Sequence, residues 1–362
     1  MSAYNSAAML FGARLRCQLG LAVAWLVLGS LGFSSTLLAA EPFAELEAKQ
    51  RVHLRPDPEG TPTRAEIGVY VLDVMAIDDA TQTFEVDVIV TLHWRDPRLA
   101  FSVEETGLEQ LVLPLEDVWY ADLGTLNRRE IETLLPKVVQ VKPDGLVSYG
   151  QRVQATLASP LDLREFPFDS QILPIHIVAY RFGPEEISFV LNEELSGSRG
   201  DFSVSGWAIE EGEPRIEPVE LPGVEGRFAG VSFFLEARRQ SSYFGLTMMV
   251  PLVLIVLMAW AVFWIDPSVV PPQVGIATAA VFSLIAFRFS MHGELPNVAY
   301  MTRANEFLLG TTLLVFAALG EVIVTARLAK GGHVARAHQI DRWGRWIYLG
   351  AFILLAGFSL RV

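Results

Sequence analysis

The residues able to do chemistry in this chain are few, and they exchange protons or pair charges rather than make covalent bonds. The chain has six histidines and one cysteine, Cys17. Its polar half holds no GxSxG, HExxH, phosphate-loop or paired metal-ligand pattern. His93 and His176 could take up a proton near neutrality, and Glu185 and Glu186 form a carboxylate pair. Arg239 stands just ahead of a long uncharged run. A guanidinium in that place can make bidentate, charge-assisted hydrogen bonds to carboxylates. No catalysis and no cofactor or metal is expected of them.

Their positioning follows from how charge is distributed. The chain of 362 residues is 51% hydrophobic and 19% charged, with a mean hydropathy of +0.36, and such a composition implies contact with lipid. Residues 41–240 carry 36 acidic and 18 basic side chains, net −18, whereas 241–362 carry 5 and 8, net +3. The first stretch is an acidic extracytoplasmic domain and the second a membrane domain. A nucleic-acid partner is excluded by the sign of the polar half. Arg14 and Arg16 precede an apolar run that closes on Ala39 and Ala40, so residues 1–40 read as a secretory signal that would remove Cys17. A retained membrane helix is the other reading of that length.

Between residues 66 and 239, short runs of alternating polarity are separated by Gly, Pro, Asp and Asn clusters. The runs at 69–76, 84–92, 151–158, 172–179, 207–210 and 231–237 predict half-buried strands. Many strands without helical periodicity between them predict an antiparallel sandwich. Residues 41–65 read as a short helix or an irregular lead-in. Beyond residue 240, spans are predicted at 243–264, 273–287, 307–326 and 343–360. The loop at 327–342 holds Arg327, Lys330, Arg336 and Arg342 against Asp341, which places it on the inner side and both termini outside.

The string SPLDLREFPFDSQIL at 159–173 resembles the signature loop of the pentameric ligand-gated ion channels, the Cys-loop receptor family. Phe166, Pro167, Asp169 and Gln171 match its core, and Pro160 and Asp162 its beginning. Ser159 and Leu173 stand where animal members carry the two cysteines, so the disulfide is missing. Trp94, Asp96, Arg98 and Leu99 match a second motif, and Trp119, Asp122 and Asn127 a third in which Ala121 replaces a proline. Arg239 and Pro251 match an arginine and a proline around the first membrane helix.

The resemblance implies an all-β extracellular sandwich followed by a four-helix transmembrane domain, assembled as a homopentamer around a pore in the bacterial inner membrane. It implies that Asp169, with Asp78 and Asp79 in the turn between the first strands, couples to Arg239, beside Phe166, Pro167, Leu295 and Pro296. Aligned on Leu295 and Pro296, the second membrane helix would line the pore with Gly275, Ala279, Phe282, Ala286 and Phe289. A small-molecule agonist, an amine or a proton, would bind near Tyr180, Phe182 and Phe228; Leu126 and Ile89 leave half of the family's aromatic cage absent. Arg288, His292 and Glu294 near the outer mouth leave ion selectivity open. A membrane-anchored enzyme and a non-conducting sensor of the same fold are the rival readings.

Overall fold

The computed structural model describes residues 53–57, 60–221, 223, 225–291, 293 and 295–359. The signal reading at 1–40, Cys17, His292 and Glu294 lie outside the described residues.

Alternation of apolar and polar residues builds two facing sheets. The larger sheet takes its centre from β1 (Thr63–Asp78), β2 (Thr83–Arg95) and β7 (Leu146–Ala158), antiparallel neighbours in that order. It is widened by β3 (Leu111–Pro114), β5 (Arg128–Thr133), β6 (Val138–Val141), β9 (Ile187–Leu191) and the two-residue β10 (Gly197–Ser198). The second sheet runs β11 (Trp207–Glu211), β15 (Gly230–Arg239), β8 (Ser170–Ala179) and β4 (Leu123–Thr125), with β12 (Arg215–Ile216) also pairing β15. A small hairpin of β13 (Val219–Glu220) and β14 (Arg227–Phe228) lies outside both sheets.

Every second residue of β7 from Val147 to Leu157 points inward, and so do Gln171, Leu173, Ile175 and Ile177 of β8. The strands therefore meet at a core containing Trp94 and Trp119, edge to face at 5.8 Å and both fully buried. The six predicted strand runs fall inside β1, β2, β7, β8, β11 and β15. The short strands β3 to β6 and β9 lack a readable signal; β5 is exposed along its whole length and so has no buried face to impose alternation.

Four long helices follow. Helix α1 (Ser242–Trp264) opens with a wide π turn at Gly245–Met249 directly before Pro251 and closes on a 3-10 turn at Val262–Trp264. Helix α2 (Val270–Ser290) begins with Pro271 and Pro272, where the missing N–H groups cost nothing. Helices α3 (Arg303–Lys330) and α4 (Val334–Ser359) complete the set.

Among the described residues, α1, α2 and α3 are long and apolar enough to cross a membrane. Helix α4 runs 26 residues but carries Arg336, Asp341, Arg342 and Arg345 in its first half, which lowers its hydropathy. The predicted loop at 327–342 is corrected to a break of three residues between Lys330 and Val334. Arg327 and Lys330 are good helix formers placed at the C-terminal end of α3, where the helix dipole favours cations, so the helix continues through them. Arg345 ties α4 to α1: its Nε donates to the Phe263 carbonyl at 2.8 Å and its guanidinium lies 4.5 Å from the centre of the Trp264 ring. The Trp260 indole N–H in turn donates to the Arg345 carbonyl at 3.0 Å.

The two sheets are also joined by one side chain. Asn127 donates to the Ala158 carbonyl at 2.9 Å and to the Pro174 carbonyl at 2.8 Å, linking the end of β7 to β8. Asn127→Ala leaves both carbonyls without that donor and should destabilise the sandwich by about 1–3 kcal/mol. A thermal midpoint equal to wild type, measured on the solubilised protein, would contradict this bridge.

Candidate functional site at the junction of sandwich and helices

Arg239 ends β15, opposite Trp207 of β11. Its Nε donates to Asp169 Oδ1 at 2.8 Å, and a terminal nitrogen donates both to Asp169 Oδ2 at 3.2 Å and to Asp79 Oδ1 at 2.8 Å. Its backbone N–H donates to the Asp169 carbonyl at 3.1 Å. The Trp207 ring centre is 4.1 Å and the Phe166 ring centre 4.9 Å from the guanidinium carbon. The Arg239 side chain is 7% exposed and that of Asp169 1%. Burial by itself pushes the guanidinium pKa down, but the bonds from Asp169 and then Asp79 outweigh it and the net direction is up. The expected partners thus divide their roles. Asp79 reaches the arginine, whereas Asp78 accepts from the backbone N–H groups of Ala80 at 2.8 Å and Thr81 at 3.1 Å. The Thr81 N–H is the main reason the Asp78 carboxyl lies below its usual range.

The loop at 159–173 closes without a disulfide. Ser159 Oγ donates to the Ile172 carbonyl at 3.1 Å across the loop's mouth. Deeper in, the Gln171 amide accepts from the Asp162 N–H at 3.0 Å and donates to the Asp162 carbonyl at 2.8 Å and to Asp169 Oδ2 at 2.7 Å. The tip bears on the helices. A cis peptide joins Phe166 to the buried Pro167, and the Phe166 ring meets Phe244 of α1 edge-on at 5.0 Å. At the start of α3, the backbone N–H groups of Arg303 and Ala304 donate to the carbonyls of Arg164 at 3.0 Å and Phe166 at 3.1 Å. Helix-terminal donors that lack intrahelical partners are thereby satisfied by the loop.

Sequence reasoning missed several members of this contact. Gln82, in the left-handed region at φ 55°, donates to the Asp79 carbonyl at 2.8 Å and accepts from the Leu161 N–H at 2.6 Å, fastening the β1–β2 turn to the loop. The Tyr300 hydroxyl accepts from the Leu163 N–H at 3.0 Å, and Arg303 pairs with Glu165 at 2.7 Å. A readable signal existed for Thr302, a threonine of the type favoured at a helix N-cap, which caps α3 by accepting from the Asn305 N–H at 3.2 Å, with Glu306 in the first turn. Leu295 and Pro296 are half-buried in the segment between α2 and α3 that also supplies Tyr300.

Gly275, Ala279, Phe282, Ala286 and Phe289 are all exposed in the single chain, Phe282 at 67% and Phe289 at 79%. Gln273, Ala277, Ala280 and Leu284 face the other helices. Of the ligand-site residues, Tyr180 is 36% exposed just beyond β8. Phe228 is half-buried in the β13–β14 hairpin. Phe182 is held edge-on against Trp119 at 5.5 Å and backs a cavity of about 540 Å³ that Tyr120, Asp122 and Arg181 also line. His93 and His176 occupy matching settings, each with Nδ1 against a serine hydroxyl of the neighbouring strand, Ser148 at 2.9 Å and Ser232 at 2.7 Å. Burial pushes both imidazoles below their ordinary pKa. Glu66 opposes that at His93 and Lys142 adds to it, while Glu217 opposes it at His176.

Residues 43–222 match the neurotransmitter-gated ion-channel ligand binding domain, and residues 248–334 match the neurotransmitter-gated ion-channel transmembrane region. Over 293 residues the chain is 27% identical to a proton-gated ion channel of Gloeobacter violaceus, covering 81% of each. Over 280 residues it is 25% identical to gamma-aminobutyric acid receptor subunit beta-4 of Gallus gallus, covering 75% of this chain and 56% of that one. With a β-sandwich set on membrane-crossing helices through a buried arginine and the signature loop, the chain belongs to the neurotransmitter-gated ion channels of the Cys-loop family and is a ligand-gated ion channel.

Proposed function

We propose that five copies of this chain surround a pore in the inner membrane of a bacterium, with the sandwich and both termini outside, α4 as the fourth crossing helix, and small monovalent ions as the permeant species. In this reading the stripe of Gly275, Ala279, Phe282, Ala286 and Phe289 lines the pore. Acid on the sandwich side opens it. The carrying observation is the buried Arg239, which binds the β1–β2 turn and the signature loop at the place where β15 runs into α1. A shift of either sheet must be transmitted through that contact or leave carboxylates unpaired. The proton as stimulus is supported by the proton-gated relative and by the two half-buried histidines. An amine agonist is the second reading, favoured by the exposure of Tyr180.

The direction of the pH effect follows from the histidines. A buried imidazole with a lowered pKa binds fewer protons than a solvated one, so the conformation that buries it loses stability as pH falls below about 6.5. Acid therefore favours a state in which His93 and His176 are hydrated. Protein in a planar bilayer should pass current when the sandwich side is stepped to acid. The double change His93→Gln with His176→Gln should move the midpoint of activation to lower pH or abolish the response. Current evoked at neutral pH by primary or quaternary amines, with none evoked by acid, would replace this reading with the second.

Removing one partner of a buried charge pair costs about 3–5 kcal/mol, because the other charge is left uncompensated. Arg239→Ala should accordingly reduce maximal current far more than it shifts the midpoint of activation, and Arg239→Lys, which cannot bridge Asp169 and Asp79 in the same planar fork, should fall between. Wild-type midpoint and maximal current in Arg239→Ala would remove the junction from the gating path.

At the pore, Phe282 and Phe289 are two helical turns apart, about 10.5 Å at 1.5 Å per residue. Five copies would make two stacked apolar rings, and an ion cannot pass a narrow apolar ring without its hydration water. Phe282→Ser should raise unliganded current by stabilising water there, while Leu284→Ser, at a buried position, should mainly lower stability. Leak in Leu284→Ser with wild-type behaviour in both Phe282→Ser and Phe289→Ser would mean that another face of α2 lines the pore.

A further inference from the structure

The exposed tryptophans collect at one place, at the end of the helices away from the sandwich. Among the described residues they are Trp264, Trp343 and Trp346, which are 54%, 63% and 64% exposed, whereas Trp94, Trp119 and Trp207 are buried and Trp260 is half-buried. Trp264 closes α1, 22 residues and about 33 Å from the first residue of that helix. Trp343 and Trp346 of α4 come level with it, because Arg345 between them donates to the Phe263 carbonyl at 2.8 Å and lies over the Trp264 ring.

Helix α4 packs on α3 and on the end of α1, and buries Ala337, Asp341, Tyr348 and Phe352. Away from that face it carries, in order along the chain, the exposed Arg336 and Arg342, then Trp343 and Trp346, then Ile347 and Leu354. Cation, aromatic ring and aliphatic chain thus succeed one another as phosphate, glycerol and acyl chain do in a membrane leaflet. Arg342 precedes Trp346 by one turn, about 6 Å, and Arg336 stands about 9 Å further on, distances that long arginine side chains span by reaching toward the headgroups.

Neither of these two arginines has an ion pair or hydrogen bond to its side chain among the described residues. The nearby acids are otherwise engaged. Asp341 is buried on the packed face of α4, and Asp266, just beyond α1, accepts from the Ser268 N–H at 2.8 Å and lies 3.9 Å from His338. A zwitterionic headgroup brings its own ammonium to its phosphate, whereas an anionic headgroup leaves the phosphate charge for a guanidinium. We propose that this face of α4, with Trp264 beside it, holds an anionic phospholipid in preference to a zwitterionic one, with Arg336 and Arg342 on the phosphate and the three tryptophans along the glycerol and upper acyl chains.

The inference rests on the reading of α4 as the fourth crossing helix, and the test separates the two. The full chain is placed in vesicles of phosphatidylethanolamine and phosphatidylglycerol, one or the other brominated on its acyl chains, and quenching of tryptophan fluorescence is compared with that of the double variant Trp343→Phe with Trp346→Phe. The difference reports lipid at α4. It should be larger for brominated phosphatidylglycerol at equal mole fraction, and Arg336→Gln and Arg342→Gln should each lower that preference about fivefold, the ratio given by about 1 kcal/mol per arginine near an anionic surface. Lys330→Gln, which removes a cation from the same end of α3, should change it less than about twofold. An equal fall in Lys330→Gln would mean diffuse attraction and overturn the site, as would equal quenching by the two lipids in wild type, which leaves α4 against lipid. Inorganic phosphate abolishing the preference, where chloride at the same ionic strength does not, would give the arginines to a free anion. No difference with either lipid would take α4 out of the membrane and remove the fourth crossing helix together with the site.

Discussion

A guanidinium that is 7% exposed has lost nearly all its water, and its cost must be met by protein groups within a few ångströms. At Arg239 those groups come from three segments far apart in sequence: Asp79 after β1, Asp169 and Phe166 in the signature loop, and Trp207 at the start of β11. The requirement fixes where each can lie. The β1–β2 turn cannot move away from the loop without leaving Asp79 or the arginine unsatisfied, and Gln82 repeats that constraint with neutral bonds. Because Arg239 is also the last residue of β15, the same charge sets the position from which α1 departs.

The loop itself is a rigid pad although no covalent bond closes it. Ser159 spans its mouth and Gln171 braces its interior, so hydrogen bonds do the ordering that two cysteines would do by restricting the unfolded chain. The pad then serves a second purpose. Its carbonyls at Arg164 and Phe166 satisfy the first N–H groups of α3, an end that would otherwise need water or a ligand. One loop therefore completes the arginine's bonding on one side and a helix terminus on the other.

Much of this was legible in the sequence, and the residues that were not share a physical reason. Strands with a buried face, such as β2 and β7, announce themselves by alternation; β5, exposed throughout, does not. Arg239, Asp169 and Phe166 stood out through motif spacing, and their types suit a buried ion pair. Gln82, Tyr300 and Arg303 act through contacts 70 residues or more away in sequence, including backbone N–H and C=O groups that no residue pattern encodes. The loop expected at 327–342 was misjudged because basic residues that can mark the edge of an apolar span need not mark a helix end, and here α3 continues to Lys330 and α4 begins at Val334.

The step from the junction into the membrane has its own logic. Beyond Arg239 the chain has only a few residues before the π turn at Gly245–Met249, and Pro251 follows at once. A proline inside a helix has no N–H to give and crowds the carbonyl four residues earlier, here that of Thr247; a locally wider turn makes room for both defects. That turn departs from regular α-helical hydrogen bonding a few residues downstream of the buried arginine. In the gating we propose, a firmly held arginine followed by such a turn would convert displacement of the sandwich into rotation or tilt of α1. In the same proposal, loss of the firm hold would let the turn take up that displacement before it reached α2 and the helices packed behind it.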